Sequence, residues 1–159
     1  MLGREHAVGH PALTDQETGL ANRLHFELVY GYLFGAGDRG VALTVMLLHV
    51  GGVDPDRPDV ELLRAVGERL QGVTRGSDLV SHAGSGRFVI LLLGSNLQGG
   101  LLAADRVQTS VAEVTRGAIS VGLAAYSPEM KESSQLLDAA DEALRQAQGT
   151  GGGIEVVHT

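Results

Sequence analysis

Arg75-Gly76-Ser77-Asp78 sets a guanidinium fork three residues ahead of a carboxylate, a pairing of side chains able to make charge-assisted hydrogen bonds. An arginine fork can donate in parallel to two acceptors, and a carboxylate can accept from N–H groups. A further arginine, Arg106, follows in the segment Ala104-Asp105-Arg106-Val107. The same three residues also suit ordinary roles: Asp78 opening a strand, Arg75 lying favourably at a helix C-terminus, Arg106 standing on a helix surface. Shortly after Asp78 comes the glycine-rich turn Gly84-Ser85-Gly86-Arg87-Phe88, where Arg87 is read either as an anion contact or as a solvated cation. Asp54, Asp56 and Asp59 suggest an oxygen-ligand loop, but the intervening prolines and the missing glycine and terminal glutamate oppose a calcium loop. His49 and His82 could pair on a transition metal, or serve as two unrelated strand histidines. No metal site is expected from either group.

The elements that must position these residues follow from periodicity. From Ala21, the residues Leu24, Leu28, Tyr32 and Leu33 recur at helical spacing up to Gly35, and predict a helix with those side chains inward. An apolar strand is expected from Val41 to His49. Asp59 is placed to cap a second helix with Leu63, Val66, Leu70 and Val73 on its inner face. Strands at 78–82 and 88–93 flank the glycine turn. Asn96 is placed to cap a third helix, with Leu97, Leu101, Ala104, Val111 and Val114 inward and its first turn weakened by Gly99 and Gly100. A strand over 118–124, a helix opening at Ser133 or Ser134, and an edge strand over 154–157 complete the pattern. Residues 1–14 carry no periodicity and are expected to form a flexible leader ahead of one domain, 15–159. This order of elements predicts an α+β fold: a mostly antiparallel sheet of about five strands with helices packed around it.

With 159 residues, the chain suits a single core, and at 4% aromatic content that core is built from Leu, Val, Ile and Ala. A formal charge of −7 weighs against nucleic acid, which is held by clustered cations. The absence of cysteine excludes disulfides and thiolate metal sites and fits a reducing cytoplasm. No apolar run approaches the roughly 20 residues of a membrane span, so a cytoplasmic protein with no membrane association is expected.

Several motifs resemble those of one family, the GGDEF domains of bacterial diguanylate cyclases. Asp15-Gln16-Glu17-Thr18-Gly19-Leu20-Ala21-Asn22-Arg23-Leu24-His25-Phe26 is similar to the family's opening Asp-x-Leu-Thr-Gly-Leu-x-Asn-Arg-x-x-Phe, with Glu17 in place of Leu. The turn from Gly84 to Phe88 resembles the signature Gly-Gly-Asp-Glu-Phe with Gly86 and Arg87 in place of the acidic pair. Ser120-Val121-Gly122 and the segment Ala140 to Gln148 resemble later family motifs. The resemblance covers about 15–157 and implies the palm-like fold of class III nucleotide cyclases.

It also implies specific departures. The family holds divalent metal with carboxylates from the end of the first strand and from the signature hairpin, positions taken here by His49 and by Gly86-Arg87. The segment Gly51 to Asp59 is shorter than the family's guanine-binding loop, and Gln148 and Gly152 stand where phosphate-binding cations are usual. From these the expectation is a degenerate, catalytically inactive GGDEF domain: no enzyme, no cofactor, no magnesium at the former active site. Arg75, Asp78 and Arg106 match the family's inhibitory site for cyclic di-GMP, which makes a cyclic di-GMP receptor the first reading. A protein-interaction module, acting through a protein partner or as a homodimer, is the alternative.

Overall fold

The computed structural model describes residues 11–54 and 56–156. Five strands form one sheet in the order β2-β3-β1-β4-β5, with β1 at Leu43–Val50, β2 at Leu79–Gly84, β3 at Arg87–Leu93, β4 at Ile119–Ala125 and β5 at Gly153–Val156. Every pairing is antiparallel except β4 with the edge strand β5. The mostly antiparallel α+β expectation therefore holds. Residues 1–10 of the expected leader and Val157 of the expected edge strand lie outside the described residues. Pro11–Leu13 form a 3-10 turn, held where the Asn22 side chain donates to the Ala12 carbonyl at 2.9 Å.

Helices α1 (Arg23–Gly37), α2 (Val60–Val73), α3 (Leu97–Ala112) and α4 (Ser133–Gly149) cover both faces of the sheet. Strand side chains alternate, so β1 sends Met46, Leu48 and Val50 toward α2 and α3, and Leu43, Val45 and Leu47 toward α1 and α4. A central strand buried on both faces has to be apolar along its length. This explains the unbroken run Val45-Met46-Leu47-Leu48 between two polar flanks. Close approach of α4 to β4 depends on Gly122, because a Cβ there would sit 2.7 Å from the Ala140 carbonyl and closer still to Leu144 N.

The helix starts are local and match expectation. Asp59 Oδ1 accepts from Leu62 N–H at 3.0 Å and Asn96 Oδ1 from Gly99 N–H at 2.9 Å. Two buried stripes differ from expectation. In α1 the inward residues are Phe26, Tyr30 and Phe34, while Leu24, Leu28 and Tyr32 are 50%, 60% and 72% exposed. Both triplets share the same four-residue spacing, and the aromatic set wins by stacking: Phe26 on Tyr30 at 5.4 Å, Phe34 edge-on to Tyr126 at 5.2 Å. In α3 the buried set is Gly100, Ala103, Ala104, Val107 and Val111, and Leu101 faces outward. Gly100 faces Thr44 and Leu123 across a gap too small for a Cβ, so its position in the first turn has a packing reason.

Candidate functional site

Arg75 and Asp78 are brought together on the turn between α2 and β2. Asp78 Oδ2 accepts from the Arg75 backbone N–H at 2.9 Å, and the Arg75 guanidinium donates to Asp78 Oδ1 at 3.1 Å. The same Nη2 donates to the Leu93 carbonyl at 2.9 Å and to Ser95 Oγ at 2.8 Å. Arg75 thus ties the start of β2 to the end of β3 and does not act on the α2 C-terminus, where Thr74 Oγ1 donates to the Leu70 carbonyl instead. Asp78 has a side chain only 2% exposed, whereas that of Arg75 is 54% exposed. Its Nη1 donates to none of the described residues. The pair opens onto a cleft of about 510 Å³ shared with Thr14, Gly19, His25 and Gln71. Arg106 is not part of this arrangement. It is exposed on α3, lines no part of that cleft, and makes no ion pair among the described residues.

The glycine turn is a second constellation. Gly84, Ser85 and Gly86 all hold positive φ, at 94°, 55° and 78°. A Cβ at Gly86 would sit 2.9 Å from the Val50 carbonyl. Glycine is free of the left-handed penalty that other residues meet there. Phe88 is fully buried, and Arg87 is half-buried and forms an ion pair with Asp141 on α4. Arg87 thus pairs with a carboxylate of the chain itself while 39% of its side chain stays exposed. The other Asp141 oxygen is held by Arg145 at 2.7 Å. His49 lies opposite Arg87 across the β1–β3 ladder, and burial, then the neighbouring Arg87 charge, hold its pKa below the usual 6.5. A divalent ion of the kind implied for the family would meet the His49 imidazole, Gly86 and the Arg87 guanidinium at this corner, with the one carboxylate against Arg87, that of Asp141, already held by Arg87 and Arg145. That donor set does not fit a hard cation, which is bound by oxygen ligands.

A third group was not legible in the sequence. Asp15 Oδ2 accepts from Thr18 N–H at 3.0 Å and Thr18 Oγ1–H at 2.7 Å, closing the turn before α1, and it also meets His82 Nδ1 at 3.0 Å. Glu17 Oε1 stands 4.0 Å from the same nitrogen. The His82 side chain is fully buried, with Nε2 unpartnered among the described residues and its ring 4.8 Å from that of Phe88. His82 therefore engages Asp15 and Glu17, and His49 faces Arg87, so the imagined histidine pair is not formed. The acidic loop resolves into local roles: Asp54 Oδ1 accepts from Asp56 N–H at 2.9 Å, and Asp59 caps α2. Among the described residues no helix is long and apolar enough to cross a membrane.

Residues 60–153, more than half of the chain, match the family model described as diguanylate cyclase, GGDEF domain. Diguanylate cyclase DgcM of Escherichia coli is 31% identical over 160 aligned residues, covering 92% of this chain and 38% of DgcM. The chain thus spans well under half the length of that relative. The GGDEF domain of DgcB from Caulobacter crescentus, in complex with c-di-GMP, superposes with a TM-score of 0.81 at 17% identity, covering 92% of this chain and 96% of that one. Diguanylate cyclase SiaD of Pseudomonas aeruginosa, in complex with its activator SiaC, gives a TM-score of 0.82 at 23% identity, covering 100% of this chain and 66% of SiaD. These findings correct one expectation: the matched family model is that of a cyclase and the curated relative is named as an enzyme, which overturns the reading of the chain as no enzyme. By the match over more than half of its length, the chain belongs to the GGDEF family of diguanylate cyclase domains.

Proposed function

We propose that this chain works in cyclic di-GMP signalling by binding cyclic di-GMP at the Arg75–Asp78 turn. The observation that supports this reading most directly is the free side of the Arg75 fork. Its Nη2 edge is held by Asp78, Leu93 and Ser95, which fixes the guanidinium plane, while Nη1 has no partner among the described residues and Arg75 lines the 510 Å³ cleft. A preoriented guanidinium loses less freedom on binding than a mobile one, so the internal bonds prepare the contact. Cyclic di-GMP offers the remaining Nη1 N–H groups a guanine O6 or N7, or a phosphodiester oxygen, as acceptor. DgcB, of the same fold, is named in complex with this ligand. Arg106 has no part in the binding geometry proposed here.

Calorimetric titration with cyclic di-GMP tests the reading, on the wild type and on Arg75→Ala and Asp78→Asn. Saturable binding by the wild type and its loss in Arg75→Ala are expected. Silence from a folded wild type at high micromolar ligand refutes the receptor reading. Binding that survives both substitutions removes the site from this turn.

A further inference from the structure

Helix α1 exposes the wrong kind of face for a surface helix. Its outward positions are Arg23, Leu24, Glu27, Leu28, Gly31, Tyr32 and Gly35. The two charges neutralise each other as an i,i+4 pair at 2.9 Å, and the rest of the face is apolar or bare backbone. Water-facing helix positions ordinarily carry charged or polar side chains. The glycines sharpen the anomaly. A Cβ at Gly31 or Gly35 would meet nothing within 4 Å among the described residues, so neither is required by packing against them, and both weaken the helix relative to alanine. Glycines one turn apart on an apolar face let another helix approach closely.

We infer that this face is an isologous interface between two copies of the chain, with the two α1 helices packed antiparallel. The argument for a second copy is self-complementarity. The bulky residues Leu24 and Leu28 occupy the N-terminal half of the face, and the open glycines Gly31 and Gly35 the C-terminal half. A two-fold axis between positions 29 and 30 sets Leu28 over Gly31 of the second copy and Leu24 over its Gly35. Each copy thus supplies ridges to the other's hollows, as a two-fold interface requires. The same register brings Tyr32 beside Glu27 of the second copy. It also carries Arg23 to the opposite helix's C-terminus, where the negative end of the helix dipole and Asp38 favour a cation. No like charges oppose each other anywhere along it.

The exposed parts of the three large side chains and the glycine backbone amount to on the order of 400 Å² per copy, or about 800 Å² in all, the size class of weak and reversible contacts. Sedimentation equilibrium between about 10 µM and 1 mM is therefore the direct test, with the mass expected to rise from monomer toward dimer in the absence of any nucleotide. A mass that stays monomeric throughout overturns the inference. Leu28→Lys alters an exposed side chain, so the fold should persist while association weakens at least tenfold; undiminished association overturns the assignment to this face. Gly31→Ala separates the two effects of the glycine: thermal stability should rise and association should fall. Higher stability with unchanged association shows a glycine without a packing role and also overturns the inference. The chain has no cysteine, so oxidation of a Leu24→Cys, Gly35→Cys double variant reads the register. Cross-linked dimer is expected, and a dimer that does not cross-link refutes the antiparallel pairing.

Discussion

Replacing Arg75 with alanine removes a clamp and a proposed ligand contact at once, and the two consequences are separable. In the absence of ligand the substitution deletes hydrogen bonds to the Leu93 carbonyl, Ser95 Oγ and both oxygens of Asp78. The guanidinium is half exposed, so water and salt screen its charge and each bond contributes well below its gas-phase strength. The carboxylate it leaves is nearly sealed from solvent and keeps one donor, the backbone N–H of residue 75. With one bond to a backbone carbonyl, one to a hydroxyl and a screened ion pair lost together, destabilisation of about 1–2 kcal/mol is expected. For a chain of this size that corresponds to a fall in Tm of roughly 2–8 °C. Arg75→Lys keeps the charge without the fork and should fall between the two. Urea denaturation gives the free energy and a thermal scan gives Tm. In the same scan, cyclic di-GMP at 100 times its Kd should stabilise the wild type by about 2.7 kcal/mol and leave Arg75→Ala where it was. An alanine variant as stable as the wild type refutes the clamp. A ligand shift equal in both proteins refutes the site, whatever the clamp does.

Gly122→Ala should cost about 3 kcal/mol or more, because the added methyl collides with the α4 backbone and the helix has to lift off β4; a loss below about 1 kcal/mol in chemical denaturation would show that α4 gives way easily. His49 should make stability depend on pH. Its folded-state pKa lies below the unfolded 6.5, so the unfolded chain binds the extra proton, and this contribution is full above 6.5 and is lost as pH falls from there through the folded value. Arg87→Gln removes the smaller of the two causes and leaves burial, so an NMR titration should find the His49 pKa raised part of the way toward 6.5. No movement on that substitution would mean that the Arg87 charge does not reach the imidazole.

What could be read from the sequence was what is decided within about four residues or by alternation along a strand. Asp59 and Asn96 satisfy donors three residues ahead of them, so their helices start where expected. The apolar run from Val41 to His49 announced a strand, and the glycines from Gly84 announced a turn between two strands, both of which formed. Arg75 and Asp78 were recognisable as a pair because they stand three positions apart and one turn closes the gap. Periodicity could not choose between Leu24-Leu28-Tyr32 and Phe26-Tyr30-Phe34, two stripes with identical spacing. The choice fell to aromatic packing against Tyr126, nearly a hundred residues away in the chain. Long-range pairing likewise decided that Arg87 meets Asp141, that Asp15 meets His82, and that Arg106 stands apart from Arg75. Such contacts depend on which surfaces the sheet order brings together, and neither a residue's type nor its neighbours in sequence encode that order locally. The family's motifs therefore foretold the fold, while the tertiary structure alone decided, among the described residues, which side chains are engaged, which edge of Arg75 is without a partner, and which face of α1 is left uncovered.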